Sequence, residues 1–316
     1  MQIKDNHTLR SLCGLMDSNL TMIRERVNAN IEVNTSGTIN IYGRESVIVE
    51  NVLRILQRLA QNGYPLAPLD VSLAINAMRQ GYHVKEFLKL YDMSLGKFNN
   101  GQNIHPRTFS QQRLAESIRD PDATIIFGSG SAGTGKTLVS LAMGIEQLNK
   151  HDVNRIVITR PISEVGNDLG FLPGSEEEKY DPYLQPISEI LTRILGEHNK
   201  REMIARGNIQ LTPLLYLRGE TLDNAFIVFD EAQNTTPHEM KTFISRIGDG
   251  SKMVINGDET QSDLYLDCVD GEAPLSGLSD AISRLENLVF VRHVKFANYD
   301  IVRSWQLQQI MEAYDK

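Results

Sequence analysis

Eight residues near the middle of the chain, Gly130-Ser131-Ala132-Gly133-Thr134-Gly135-Lys136-Thr137, fit the pattern Gly, four residues, Gly-Lys-Ser/Thr without a mismatch. Such a loop works between a buried strand and the first turn of a helix, so it imposes an α/β architecture on the chain around it. The flanks comply. Ala123-Thr124-Ile125-Ile126-Phe127 reads as a short buried strand, and Leu138 to Leu148 carries apolar residues at helical spacing. Small residues let successive backbone N–H groups face phosphate oxygens, and the positive end of the new helix adds to the attraction. All eight residues are therefore expected at a phosphate ligand, with Lys136 reaching the outer phosphates and Thr137 ligating magnesium.

Gly128-Ser129-Gly130-Ser131-Ala132-Gly133 also satisfies the dinucleotide fingerprint Gly-x-Gly-x-x-Gly. A dinucleotide site has no use for Gly135-Lys136-Thr137, however, and expects an acidic residue at the end of the second strand, where Thr159-Arg160 stands. The phosphate-loop reading is preferred. A carboxylate partner for it follows in Ala225-Phe226-Ile227-Val228-Phe229-Asp230-Glu231, where an apolar run places Asp230 at the mouth of a buried strand. Asp230 is expected to anchor hydrated magnesium and Glu231 to polarise an attacking water. A third strand tip, Gly257-Asp258-Glu259-Thr260-Gln261, offers Gln261 as a sensor of the γ-phosphate and Asp258 as a member of the magnesium network. Asn149-Lys150-His151-Asp152 imitates a guanine-reading signature, but it directly follows the first helix instead of a late strand. No His-x-x-x-His pair supports zinc hydrolysis.

Around these motifs the chain alternates strands and helices. Strands are expected at Ala123–Phe127, Arg155–Thr159, Pro213–Leu217, Ala225–Phe229, Lys252–Asn256 and Leu288–Val294. Helices are expected at 137–149, 186–195, 237–247, 278–288 and 299–314. Strands this apolar imply a parallel sheet covered on both faces. The stretch 161–186, rich in Pro and Gly with a Glu176-Glu177-Glu178 run, reads as a long loop leaving a strand's ligand-binding end. Ahead of the sheet, Ile31 to Ile41 reads as a β-hairpin, followed by helices over 44–57, 69–78 and 84–91. This small α+β domain, residues 1–105, is a candidate for RNA binding or assembly. It carries no Gly-x-x-Gly clamp of the kind KH modules use. Phe98 to Pro106 reads as a linker, giving a second domain at 106–316.

Composition narrows the classes further. Net charge is −8, divided between 11 Lys/Arg against 9 Asp/Glu (net +2) in residues 1–105 and 21 against 31 (net −10) in the remainder. That balance argues against tight, sequence-independent nucleic-acid binding but leaves local patches open. Cys13 and Cys268 are too isolated for a disulfide framework or zinc site. No run of 18 apolar residues and no signal-peptide profile is visible, so a soluble cytoplasmic protein without membrane contact is expected.

Thr159-Arg160-Pro161, Leu169-Gly170-Phe171-Leu172-Pro173-Gly174, Asp181-Pro182-Tyr183, Arg218-Gly219, Asp230-Glu231-Ala232-Gln233-Asn234-Thr235-Thr236 and Gly257-Asp258-Glu259-Thr260-Gln261 together resemble the PhoH-like ATPases. The resemblance runs through roughly residues 106–316. The hairpin and helix before it look like the extension of the bacterial YbeZ-type branch. What the resemblance implies is a P-loop NTPase fold, RecA-like and related to the first half of superfamily-one helicases, hydrolysing ATP with Mg2+ in RNA metabolism. It further implies a hexamer and a YbeY-type endoribonuclease as partner in rRNA processing. Gln111 matches the family's upstream glutamine and would read adenine. Ser131 stands where proline is usual, and Arg303-Ser304-Trp305 replaces a more usual Arg-His-Pro.

A helicase core closes ATP between two RecA-like domains, the second inserting an arginine, and only one such domain fits here. The expectation is a head-to-tail ring of identical subunits in which Arg160, Arg218, Arg246, Arg292 or Arg303 reaches a neighbour's site. Two other functions compete. One is a non-motor scaffold whose ATP binding controls recruitment of a nuclease or ribosome factor. The other is a small-molecule kinase, disfavoured because Asp230-Glu231 suits water activation.

Overall fold

The apolar runs of the second half of the chain lie side by side as one parallel sheet, and a separate hydrophobic core collects the helices of the first. The computed structural model describes residues 1–3, 5–34, 37–161, 176–217, 219–261 and 275–314. Two compact units result: Met1–Met93 with His105–Phe109 and Asn298–Lys316, and Ser94–Ile104 with Ser110–Ala297. A single cut at 105 does not describe this packing. The C-terminal segment belongs with the N-terminal unit, and the stretch read as a linker is divided between the two.

The first unit begins with α1 (Asn6–Cys13) and α2 (Ser18–Arg26), a stretch whose mixed polar breaks show no clear period. Asp5 caps α1 by accepting the Thr8 N–H at 2.8 Å. The expected hairpin follows as β1 (Asn30–Val33) and β2 (Ile39–Tyr42), with Ile31 and Ile39 buried. Helix α3 (Ser46–Gln61) buries Val49, Val52, Leu53, Ile55, Leu56, Leu59 and Ala60, the i, i+3, i+4 stripe of an amphipathic helix. Pro68 opens α4 (Pro68–Arg79), since its missing N–H falls where no intrahelical partner exists. At the third position of α4, the buried Asp70 carboxylate accepts from Ala67 N–H at 2.8 Å, the Tyr91 hydroxyl at 3.2 Å and Arg107 at 3.1 Å. This carboxylate and the apolar surroundings of α5 (Val84–Asp92) push the Tyr91 phenol well above its ordinary value, burial being the larger cause.

The second unit opens on a short ribbon, β3 (Gly96–Lys97) with β4 (Asn103–Ile104), inside the expected linker. Then come α6 (Phe109–Arg119), β5 (Ile125–Gly130), α7 (Lys136–Asn149), β6 (Arg155–Thr159), α8 (Glu176–Leu195), α9 (Glu197–Ala205), β7 (Ile209–Leu211), β8 (Ala225–Phe229), α10 (Pro237–Ile244), β9 (Lys252–Gly257), α11 (Gly277–Leu285) and β10 (Val291–Phe296). A last helix, α12 (Trp305–Tyr314), returns to the first unit, where the Asn76 side chain donates to the Tyr299 carbonyl at 3.1 Å.

The sheet runs in the order β10-β5-β9-β8-β6-β7, every pair parallel. β8 is buried at all five positions, as its unbroken apolar run requires. Helix α7 crosses it closely enough that a Cβ on Gly144 would lie 2.6 Å from the Phe226 ring. Two expectations change. The edge strand is Ile209–Leu211, not Pro213–Leu217, because Pro213 has no N–H for a ladder and Leu214–Leu217 turns into a 3-10 helix. Much of the expected 161–186 loop is helical, since α8 begins at Glu176. Its two prolines, Pro182 and Pro186, lie four residues apart on the exposed side. Residues 162–175, including the Leu169–Gly174 motif, lie outside the described residues, as does Arg218. Among the described residues, no helix is long and apolar enough to cross a membrane.

Candidate nucleotide site

Parallel registry brings the strand tips level. Gly130 of β5 pairs with Phe296 of β10, Ser129 with Gly257 of β9, and Phe229 of β8 with both Ile255 of β9 and Thr159 of β6. Because β9 lies between β5 and β8, the phosphate-loop strand and the Asp230 strand stand two strand spacings apart, roughly 10 Å.

Gly130 turns the chain off β5 with φ +121°, and a Cβ there would sit 1.9 Å from the Phe296 carbonyl oxygen, so only glycine fits. Thr134 is fully buried, and its hydroxyl donates to Ser131 O at 2.9 Å, while Ala132 at the crest is exposed. Gly133 and Gly135 take positive φ, and Gly135 caps α7, whose first turn presents Lys136 and Thr137. The Lys136 ammonium donates to Gly130 O, to Ser131 O at 2.9 Å and to Thr134 Oγ1 at 3.3 Å, and lies 5.7 Å from the Phe296 ring centroid. Gln111 of α6, only 4 % exposed, donates its amide to Thr134 O at 2.8 Å. The residue expected to read adenine thus also holds the loop's backbone.

Across the gap, Thr137 Oγ1 donates to Asp230 Oδ1 at 2.8 Å, joining the loop helix to the tip of β8. The Asp230 N–H extends the ladder to Thr159 O at 3.0 Å and fixes the carboxylate's direction. Burial, and secondarily the neighbouring Glu231 carboxylate, raise the Asp230 pKa from an ordinary 3.8 to about 6, against the pull of Thr137, Arg160 and Lys136. A cation beside Asp230 would relieve that penalty.

Glu231 occupies the left-handed region (φ +55°, ψ 38°), an uncommon conformation for a residue with a side chain. Its Oε2 accepts from Gln233 Nε2 at 2.7 Å, and its Oε1 lies 3.4 Å from Arg160 Nη2. Gln233, buried, turns its other amide atom to β9, where Oε1 accepts the Asp258 N–H at 3.0 Å. Asp258 is buried as well. Its Oδ1 accepts from the N–H and hydroxyl of Thr260, while Oδ2 has no hydrogen-bond partner among the described residues. Gln261 sits on the exposed turn after β9, where its N–H donates to Asp258 O at 3.1 Å.

The structure therefore brings together Gly130 to Thr137, Gln111, Asp230 and Glu231. Gln261 is placed at the rim, with its side chain in solvent. In the sequence Gln233 is one residue of the Asp230–Thr236 motif, and its bridging role depends on β9 lying beside β8, which strand order alone reveals. Two buried polar pairs also escaped the sequence reading: Asn256 with Ser140 beneath the loop, at 3.0 Å, and Ser129 with His293 Nε2, at 2.7 Å. Burial lowers the His293 pKa, against the pull of the neighbouring Glu286.

The donor set suits magnesium. Thr137 and Asp230 supply hard oxygens side by side, and Asp258 holds a buried, unpartnered carboxylate oxygen one strand away. No group of three or more His, Cys, Asp or Glu able to cage a metal occurs among the described residues.

Residues 103–315 match the family model described as PhoH-like protein. The chain is 35% identical over 317 residues to the PhoH-like protein of Bacillus subtilis (strain 168), covering 100% of this chain and 96% of that one. Against the PhoH-like protein of Mycobacterium tuberculosis (strain ATCC 25618 / H37Rv), identity is 37% over 308 residues, with 96% and 84% covered. Among solved structures, the UvsW helicase from bacteriophage T4 superposes with a TM-score of 0.38 at 12% identity, over 86% of this chain and 100% of that one. With a complete phosphate-binding loop at the tip of a parallel sheet, this nucleotide-binding chain belongs to the PhoH-like protein family.

Proposed function

We propose that the chain is a Mg2+-dependent ATPase in which the Thr137–Asp230 pair seats the metal and Glu231 activates water. The observation that carries this reading is the 2.8 Å bond from Thr137 to a buried, electrostatically stressed carboxylate, with a second carboxylate on the next residue. On binding, Lys136 exchanges the loop carbonyls for phosphate oxygens, and the N–H groups of Gly133 to Thr137 surround the β-phosphate. Magnesium held at Thr137 and Asp230 would neutralise charge on the phosphates. Glu231 accepts the proton of a water that attacks the γ-phosphorus as the bond to the ADP oxygen breaks.

Turnover should be measured for wild type, Lys136→Ala and Glu231→Gln, with and without single-stranded RNA. Lys136→Ala should lose binding and turnover together, whereas Glu231→Gln should keep ATP and cease to cut it. Undiminished turnover in both variants would falsify the site assignment. Gln111 supports ATP as the nucleotide by its position beside the loop. The family likeness supports RNA as effector, a hexameric ring, and a YbeY-type endoribonuclease as partner in rRNA processing. Mass photometry with and without ATP and a pull-down with the nuclease test the last two.

A second reading has its own support. Both oxygens of Glu231 are engaged, which favours slow intrinsic turnover and a scaffold that uses ATP binding to recruit a nuclease or ribosome factor. Robust ATP-driven strand separation by the purified protein excludes it.

A further inference from the structure

A general base needs an unshared carboxylate lone pair directed at its water. In this chain Gln233 takes Oε2 of Glu231, and the Arg160 guanidinium stands 3.4 Å from Oε1. Arg160 does more than pair. It leaves the tip of β6, and its second terminal nitrogen, Nη1, donates to the backbone carbonyl of Tyr183 on α8 at 3.3 Å. One planar fork thus spans two elements, the glutamate on β8's exit and a helix outside the sheet, and the fork's rigidity links their positions. The pair is partly exposed, with Arg160 24% and Glu231 39% accessible, which makes it breakable.

We infer that Arg160 is a positioning residue that restrains Glu231 and ties release of the base to the position of α8. The inference rests on the ATPase reading above. In the resting arrangement Arg160 holds turnover down. A shift of α8 that withdraws the Tyr183 carbonyl draws the guanidinium off Oε1 and leaves that oxygen free for water. Arg160 acts through Glu231 and touches neither phosphate nor metal in this role. Glu231 itself takes the uncommon left-handed backbone conformation, with its carboxylate between Arg160 and Gln233.

The test compares ATP turnover and binding of a fluorescent ATP analogue for wild type, Arg160→Gln, Arg160→Met and Arg160→Lys, alongside Lys136→Ala and Glu231→Gln. Removal of the cation in the Gln and Met variants should raise basal kcat about three- to five-fold, the range of a partly exposed ion pair. KM and analogue affinity should stay unchanged, which also shows that the variants are folded. Arg160→Lys, keeping the charge, should return kcat toward wild type. A kcat that falls or stays level in both neutral variants, while Lys136→Ala and Glu231→Gln are inactive, overturns the restraint and leaves the ATPase reading intact. Wild-type turnover in Lys136→Ala and Glu231→Gln overturns both together.

Discussion

Replacing Asp230 with asparagine should stabilise the metal-free protein at neutral pH while abolishing turnover. The carboxyl's pKa is raised by burial and by Glu231 from 3.8 to about 6. A carboxyl with a raised folded-state value contributes stability in full below pH 3.8, and loses it as pH climbs through 6. The difference of about two units corresponds to ~3 kcal/mol, present as a penalty above pH 6. Asparagine keeps an oxygen for the Thr137 hydroxyl but adds amide hydrogens without assured partners, which costs about 1 kcal/mol. Net stabilisation of ~1–2 kcal/mol is therefore expected at pH 8, shrinking to nothing or reversing near pH 4. Urea unfolding in EDTA, followed by circular dichroism, measures it. A stability difference between variant and wild type that is the same at pH 4 and pH 8 would refute the electrostatic reasoning. Loss of stability in the variant at pH 8 would refute it as well.

Other outcomes follow from named contacts. Gly144→Val should destabilise the protein by about 1–3 kcal/mol, because even a Cβ meets the Phe226 ring at 2.6 Å; thermal unfolding reads this, and a neutral result would show that α7 slides. Gln111→Ala should raise KM for ATP by freeing the Thr134 carbonyl, and steady-state kinetics with ATP and GTP show whether it also erases a preference between them. Gln233→Leu should lower kcat about ten-fold at unchanged KM, since the Asp258 N–H loses its acceptor and the tip of β9 loosens; an equal fall in binding would make Gln233 merely structural. Mixing inactive Lys136→Ala with Arg303→Ala should restore part of the turnover if Arg303 reaches a neighbour's site, and a mixture as inactive as its components removes Arg303 from that role.

The sequence made the sheet largely legible because β6, β8 and β9, and the first half of β5, are apolar runs that need no partner to be recognised, while β10 (Val291–Phe296) is reached through the apolar stretch 288–291 at its start. It misplaced the sixth. Ile209-Gln210-Leu211 is too short to show a period, and the longer apolar run after it begins with a proline that forbids pairing. Helix α8 hid behind Pro182 and Pro186, residues that normally mark a break but are tolerated here because both face solvent. Within the site, the loop and Asp230-Glu231 announced themselves by spacing. The roles of Gln233 and Arg160 did not, because each depends on which strand lies beside which, and order in a parallel sheet is independent of order in the chain. Gln261 was chosen by motif alone, and the geometry instead puts the buried Asp258 closer to the centre of the strand tips.

An arginine that completes a neighbouring subunit's site must present a guanidinium with no prior commitment in its own. Arg160 fails this requirement, held between Glu231 and the Tyr183 carbonyl. Arg292 fails it too, bonded to Asp120 at 2.7 Å and to the Val289 carbonyl near the start of β10, far from the strand tips. Arg246 has its Nε buried, and its backbone carbonyl accepts the Leu222 N–H, which anchors it at the opposite end of β8. Arg218 lies outside the described residues. Arg303 alone among the described candidates is exposed and outside any ion pair, on the bend that precedes α12 in the unit that does not hold the phosphate loop.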